Sequence, residues 1–110
     1  MITMLLALTV VQFGTGNDLL AECRGDYIAQ AQCTRYVAGV VDGLSMEAYI
    51  HGYRDICLPP KLTQAQLRDV TVKYMVAHPE ERKKGAAGVV WLAVTKAYPC
   101  PKPPTKKKRR

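Results

Sequence analysis

The chain has 110 residues, 48% of them hydrophobic and 23% charged, which is too short for two ordinary domains and too apolar for a chain that stays unfolded. The net charge of +7 looks like a nucleic-acid signal until it is divided. Six of the 16 basic residues (Lys102, Lys106, Lys107, Lys108, Arg109 and Arg110) lie in the last nine positions, leaving 10 basic against 9 acidic residues in the body, a net of about +1.

Residues 1–16 open the chain as a signal-like apolar segment. Its first thirteen positions carry no charged side chain, and the apolar run has the length of an export-signal core, too short to span a bilayer. Turn chemistry follows at Gly14-Thr15-Gly16-Asn17, with Asn17 expected to cap a short helix through Cys23. Gly25-Asp26 breaks the chain before a long second helix, expected from about Ala29 to Tyr49. Cys33, Tyr36, Val37, Val40, Val41, Leu44 and Ala48 keep the helical period there and define a buried face. Gly39 and Gly43 stand four apart, a spacing usually explained by the close approach of another helix.

His51 to Pro60 form a polar, aromatic connector, a kind of segment that often carries contacts. The third helix announces itself with Thr63-Gln64-Ala65-Gln66, a capping box in which Thr63 caps and Gln66 reaches back. Leu62 and Leu67 bracket it at the positions of a hydrophobic staple. Leu67, Val70, Tyr74 and Ala77 supply the expected apolar stripe. A fourth helix is expected from Pro79 to Ala97, with Glu80 and Glu81 at its positive end and Ala86, Val89, Val90, Ala93, Val94 and Ala97 along its buried side. Trp91 stands beside that stripe, and Pro99 ends the run. No stretch alternates as a strand would, so the fold class is all-α: a small disulfide-stabilised bundle of about four helices over residues 17–100. Residues 101–110 are expected to form a disordered basic Pro/Lys tail.

Cys23, Cys33, Cys57 and Cys100 contain no Cys-x-x-Cys spacing, which argues against a zinc or thioredoxin-like site and for two disulfides in an oxidising compartment. Joining Cys33 to Cys57 would bridge opposite ends of the second helix, roughly 30 Å apart against a limit of about 7 Å. Of the two remaining pairings, Cys23–Cys33 with Cys57–Cys100 lets each bridge close a helical hairpin, and we favour it. Loop closure makes the two worth about 3 and about 4 kcal/mol. With the cysteines bridged, only His51 and His78 remain as bases. The chain has no Gly-x-Ser-x-Gly, His-Glu-x-x-His or phosphate-cradling loop. It therefore reads as a protein that is not an enzyme, uses no cofactor or metal, and acts by surface.

The pattern from Phe13 to Cys100 carries a resemblance. Its pieces are Gly16-Asn17-x-Leu19-Leu20-x-x-Cys23, Cys33-x-x-Tyr36-Val37-x-Gly39-Val40-Val41-Asp42-Gly43, Cys57-x-Pro59, Thr63-x-x-Gln66-Leu67, His78-Pro79-Glu80-x-Arg82 and Ala97-x-Pro99-Cys100. In this order they resemble the Rap/Tai immunity proteins, which protect bacteria from amidase effectors of the type VI secretion system. The resemblance implies an all-helical, disulfide-bonded, often homodimeric periplasmic protein. Such a protein blocks a peptidoglycan-cleaving amidase by occupying its cleft, with no nucleic-acid or membrane partner. The alternatives are a periplasmic chaperone-like or general binding protein, and a nucleic-acid-binding protein that uses Lys106–Arg110.

Cleft-filling needs protruding groups that the fold does not consume. The connector offers Tyr49, His51, Tyr53, Arg54 and Asp55 within seven positions, and Tyr and Arg are over-represented among interface hot spots. The competing expectation is that Tyr49 and Tyr53 cap the core.

Overall fold

The computed structural model describes residues 13–102, so residues 1–12 of the signal-like segment and residues 103–110 of the basic tail lie outside the described residues. Four α-helices follow in order: α1 (Gly16–Cys23), α2 (Tyr27–His51), α3 (Gln64–Ala77) and α4 (Ala86–Ala97), with a single 3-10 turn at Pro79–Glu81. Among the described residues there is no strand, only one isolated antiparallel bridge between Thr15 and Gly85.

The first three helices start where local side chains cap their opening amides, whereas α4 has no side-chain cap. Thr63 accepts from the Gln66 amide at 3.1 Å while the Gln66 side chain accepts from the Thr63 amide at 2.8 Å, closing the expected box. The α1 cap is Thr15 rather than the expected Asn17, because Thr15 and Asp18 form the same reciprocal pair. Asp26 caps α2 by accepting from the Ala29 amide at 2.9 Å, which starts that helix two residues earlier than expected.

The core is small and aliphatic: Leu19, Leu20 and Cys23 from α1, Cys33, Val37 and Val41 from α2, Leu67 and Met75 from α3, and Ala86, Val89, Val90, Ala93 and Val94 from α4. Two expected stripes shift. On α3 the buried line is Leu67, Thr71 and Met75, not Val70, Tyr74 and Ala77. Thr71 is tolerated at 0% exposure because its hydroxyl donates to the Leu67 carbonyl at 2.9 Å. On α2, Tyr36 is exposed, and Val41 is the last buried residue although the helix continues to His51. A Cβ built at Gly39 or Gly43 meets nothing within 4 Å, so among the described residues no other helix approaches them.

The fourth helix does not start at Pro79, and Ala97, expected on its buried side, is exposed in its last turn. Pro79–Glu81 make a 3-10 turn, and the backbone then crosses the start of α1 before α4 begins at Ala86. The Gly16 and Asn17 amides donate to the carbonyls of Lys84 (2.9 Å) and Arg82 (2.8 Å), and the Ala86 amide donates to Gly14 (2.9 Å). Carbonyls that a continuous helix would have used internally instead satisfy the open amides of another helix. The Arg82 side chain fastens the crossing. Its Nε donates to Asn17 Oδ1 at 3.1 Å and its Nη1 to the Met75 carbonyl at 3.1 Å.

Two bridges complete the frame. Cys23–Cys33 ties the end of α1 to α2 with Cα atoms 5.0 Å apart, and Cys57–Cys100 ties the connector to the residue three beyond α4, with Cα atoms 4.8 Å apart.

The crossing requires a residue without a side chain at position 16, where a Cβ would lie 2.9 Å from Arg82 Cα and 3.0 Å from Val89 Cγ2. Gly16→Ala is expected to destabilise the protein by about 1–3 kcal/mol. Gly88→Ala, where an added Cβ meets nothing within 4 Å inside α4, is expected to stabilise it by about 0.5–1 kcal/mol. Urea unfolding of both variants with unchanged m-values checks the pair.

Candidate functional site

The connector between α2 and α3 is fixed at both ends. At its start Gly52 terminates α2 in the left-handed conformation with φ of 77°, a value that disfavours any side chain. The Gly52 and Tyr53 amides both donate to the Ala48 carbonyl, Tyr53 at 3.0 Å. At its far end the Cys57 amide donates to the Tyr98 carbonyl at 2.9 Å beside the Cys57–Cys100 bridge. A loop held by a backbone cap and a covalent link presents its side chains in a set arrangement.

Between connector and bundle lies a groove of about 450 Å³. Leu44, Ser45, Glu47, Ala48 and Tyr49 of α2 form one wall, and Tyr53, Asp55 and Ile56 of the connector form the other, with Trp91 of α4 closing the groove. Three of the residues singled out from the sequence, Tyr49, Tyr53 and Asp55, are thus brought together. Tyr49 is 85% and Tyr53 53% exposed, so neither caps the core. His51 stacks on Tyr53 with ring centroids 5.5 Å apart, and its Nε2 lies 3.2 Å from Glu47 Oε2, one helical turn back. Arg54 is exposed between them and does not line the groove.

Glu47, Ile56 and Trp91 were not singled out from the sequence as site residues. Trp91 was legible only as a neighbour of the α4 stripe; its 38% exposure in the groove depends on how α4 crosses α2. The groove is aromatic in its lining and acidic in its charge, since Glu47 and Asp55 are the charged residues among its described lining.

Displaced ionisation is found near the α3–α4 turn. Burial, helped by the nearby Glu81 carboxylate, raises the Tyr74 hydroxyl, and its ring stacks on His78 at 4.3 Å. Backbone hydrogen bonding lowers the Glu80 carboxyl, with His78 Nδ1 3.5 Å away. The hydrogen bond to Glu81, at 2.6 Å, raises Lys84. These contacts lie at the surface around the crossing. All four cysteines are bridged. Among the described residues no group of three His, Cys, Asp or Glu side chains could hold a metal ion, and no helix is long and apolar enough to cross a membrane.

Fold and groove first define a class: a small, all-helical, disulfide-tied protein with a preformed aromatic surface suited to binding another protein. The family follows from comparison. The model of the Rap1a immunity proteins matches residues 15–100, and the chain belongs to that family, which points to an immunity protein of type VI secretion. The matched span begins at Thr15, which caps α1, and ends at Cys100, which closes the second bridge. No curated protein and no solved structure matches the chain.

Replacing Gly52 with alanine forces a side chain into the left-handed region and is expected to cost about 1–2 kcal/mol. The loss should concentrate in the last turn of α2 and appear as faster amide exchange at the Gly52 and Tyr53 positions.

Proposed function

We propose that this protein binds and blocks a peptidoglycan-cleaving amidase effector of type VI secretion in the periplasm, with the connector Tyr49–Asp55 entering the effector's cleft. The observation that carries this reading is the exposure of Tyr49 and Tyr53 on a loop fixed by Gly52 and the Cys57–Cys100 bridge. Large aromatic groups left in water have no folding role to explain them, and a rigid loop loses little entropy when it docks. The two disulfides support an oxidising compartment.

Tyr53→Ala with Arg54→Ala is expected to weaken binding to the cognate amidase at least tenfold, about 1.4 kcal/mol. The melting temperature should stay within a few degrees, because neither side chain is in the core. Loss of rescue from lysis on co-expression with a neighbouring amidase gene gives the same readout in cells. Unchanged affinity in the folded double variant moves the interface to the exposed face around Glu80 and Lys83.

The reading includes a homodimer built on α2. Gln32, Tyr36, Gly39, Gly43, Met46 and Ile50 are all exposed and follow spacings of four, three, four, three and four. That is the a/d repeat of a helix seam, here facing solvent, with Met46 58% and Ile50 64% exposed. The two glycines would let a partner backbone come close, a role they lack among the described residues. Gly43→Glu is expected to halve the mass measured by light scattering without lowering helicity. A wild-type mass of one chain, 12.2 kDa before any processing, would remove the dimer from the reading.

A further inference from the structure

The groove between α2 and the connector departs from the charge of the body around it. Outside the last nine positions the chain is nearly neutral, with 10 basic against 9 acidic residues. Yet the charged groups among the groove's described lining are two acids, Glu47 on the α2 wall and Asp55 on the connector wall. Among the described residues neither is paired with a lysine or arginine. Glu47 has only His51, 3.2 Å from one of its oxygens, and Asp55 has no ion pair. Arg54, beside Asp55 in sequence, forms no ion pair with it and does not line the groove.

The rest of the lining adds a second attraction of the same sign. Tyr49, Tyr53 and Trp91 all reach water, and the face of an aromatic ring carries negative potential that draws a cation. Ring faces and carboxylates together are what a guanidinium engages at once, because its plane stacks on rings while its N–H edges donate to carboxylates. The groove places one ring and one carboxylate on each wall, with Trp91 closing it. A lysine ammonium has no plane to stack and concentrates its donors at a point. The volume of about 450 Å³ lies within the roughly 300–1,000 Å³ of clefts that hold small ligands. The walls are also fixed beforehand by the Gly52 cap and the Cys57–Cys100 bridge, so little is lost in ordering them when a ligand enters.

We propose that the groove takes an arginine side chain of the protein it binds, with the guanidinium against Tyr49, Tyr53 and Trp91 and its N–H groups on Glu47 and Asp55. The connector then does more than protrude: while it enters the partner's cleft, the groove behind it grips a basic residue on the cleft's rim. That the arginine belongs to the amidase effector rests on the reading above; the preference of the groove for a guanidinium does not.

Trp91 is the one tryptophan of the chain and lines the groove, so its fluorescence reports on the site without any partner. The protein is titrated at fixed ionic strength with N-acetyl-arginine amide, with the lysine analogue and with the neutral citrulline analogue. The arginine compound should give a saturable change, at least about threefold tighter than the lysine compound and at least about tenfold tighter than the citrulline compound. Glu47→Gln with Asp55→Asn should abolish the change while leaving the near-ultraviolet circular dichroism intact, since both side chains are exposed. No saturable change up to about 0.1 M arginine compound overturns the proposal. So does an equal response to the citrulline compound, or a response that the double variant keeps. An equal response to the lysine compound overturns the assignment to arginine. Binding to the cognate amidase then tests the partner. The same double variant should bind it at least about tenfold more weakly, and full affinity for the amidase in a variant that has lost the arginine compound removes the effector's arginine from the proposal. That result leaves the connector reading standing, whereas an unaffected Tyr53→Ala, Arg54→Ala variant with intact arginine capture removes the connector reading and leaves the groove.

Discussion

The fold depends on one crossing, where residues 14–17 and 82–86 lie against each other and exchange backbone hydrogen bonds. A short helix such as α1, eight residues long, is marginal by itself. Here all its opening amides are satisfied, two by its own capping box and two by carbonyls 65 and 68 residues away in sequence (17 to 82 and 16 to 84). Arg82 then links that start to the last buried turn of α3 through the Met75 carbonyl. Three helices are thus placed by one arginine, one glycine and a few main-chain bonds, and the core valines of α4 are set against α1 as a result. This explains why a bundle with so few buried residues holds a definite shape.

The same crossing marks where reading the sequence stops working. The capping box at Thr63 and Gln66 was legible because both partners lie within four residues, and the periodic valines of α4 were legible because burial repeats with the helix. The interruption between Pro79 and Ala86 was not. Pro79, Glu80 and Glu81 are a good helix opening by every local rule, and only the distant claim of Gly16 and Asn17 on the carbonyls of residues 82–84 diverts the chain. Thr71 escaped notice for a related reason: a threonine reads as polar until its hydroxyl is seen to bond back to Leu67. Of the candidate site, the connector was visible as an aromatic, polar stretch. Its groove was not, because Trp91 and Glu47 meet it only through the packing of α4 beside α2.

The separation between what holds the fold and what faces outward is unusually clean for so small a protein. The cysteines are consumed in bridges and a small set of aliphatic side chains fills the core, while Tyr27, Tyr49, Tyr53, Met46, Ile28 and Ile50 remain in water. Membership of the Rap1a immunity proteins accords with that division.

The outer part of α2 has an evolutionary consequence. Val41 is the last buried residue, so the ten positions from Asp42 to His51 stand beyond the core as a stalk carrying the connector. Substitutions at exposed positions usually change stability by no more than about 0.5 kcal/mol. Changes along the stalk's exposed positions can therefore accumulate with little cost to folding. Under the proposed reading, in which the connector meets the effector, recognition can be retuned there by single steps, because the frame that keeps the protein folded lies elsewhere in the chain.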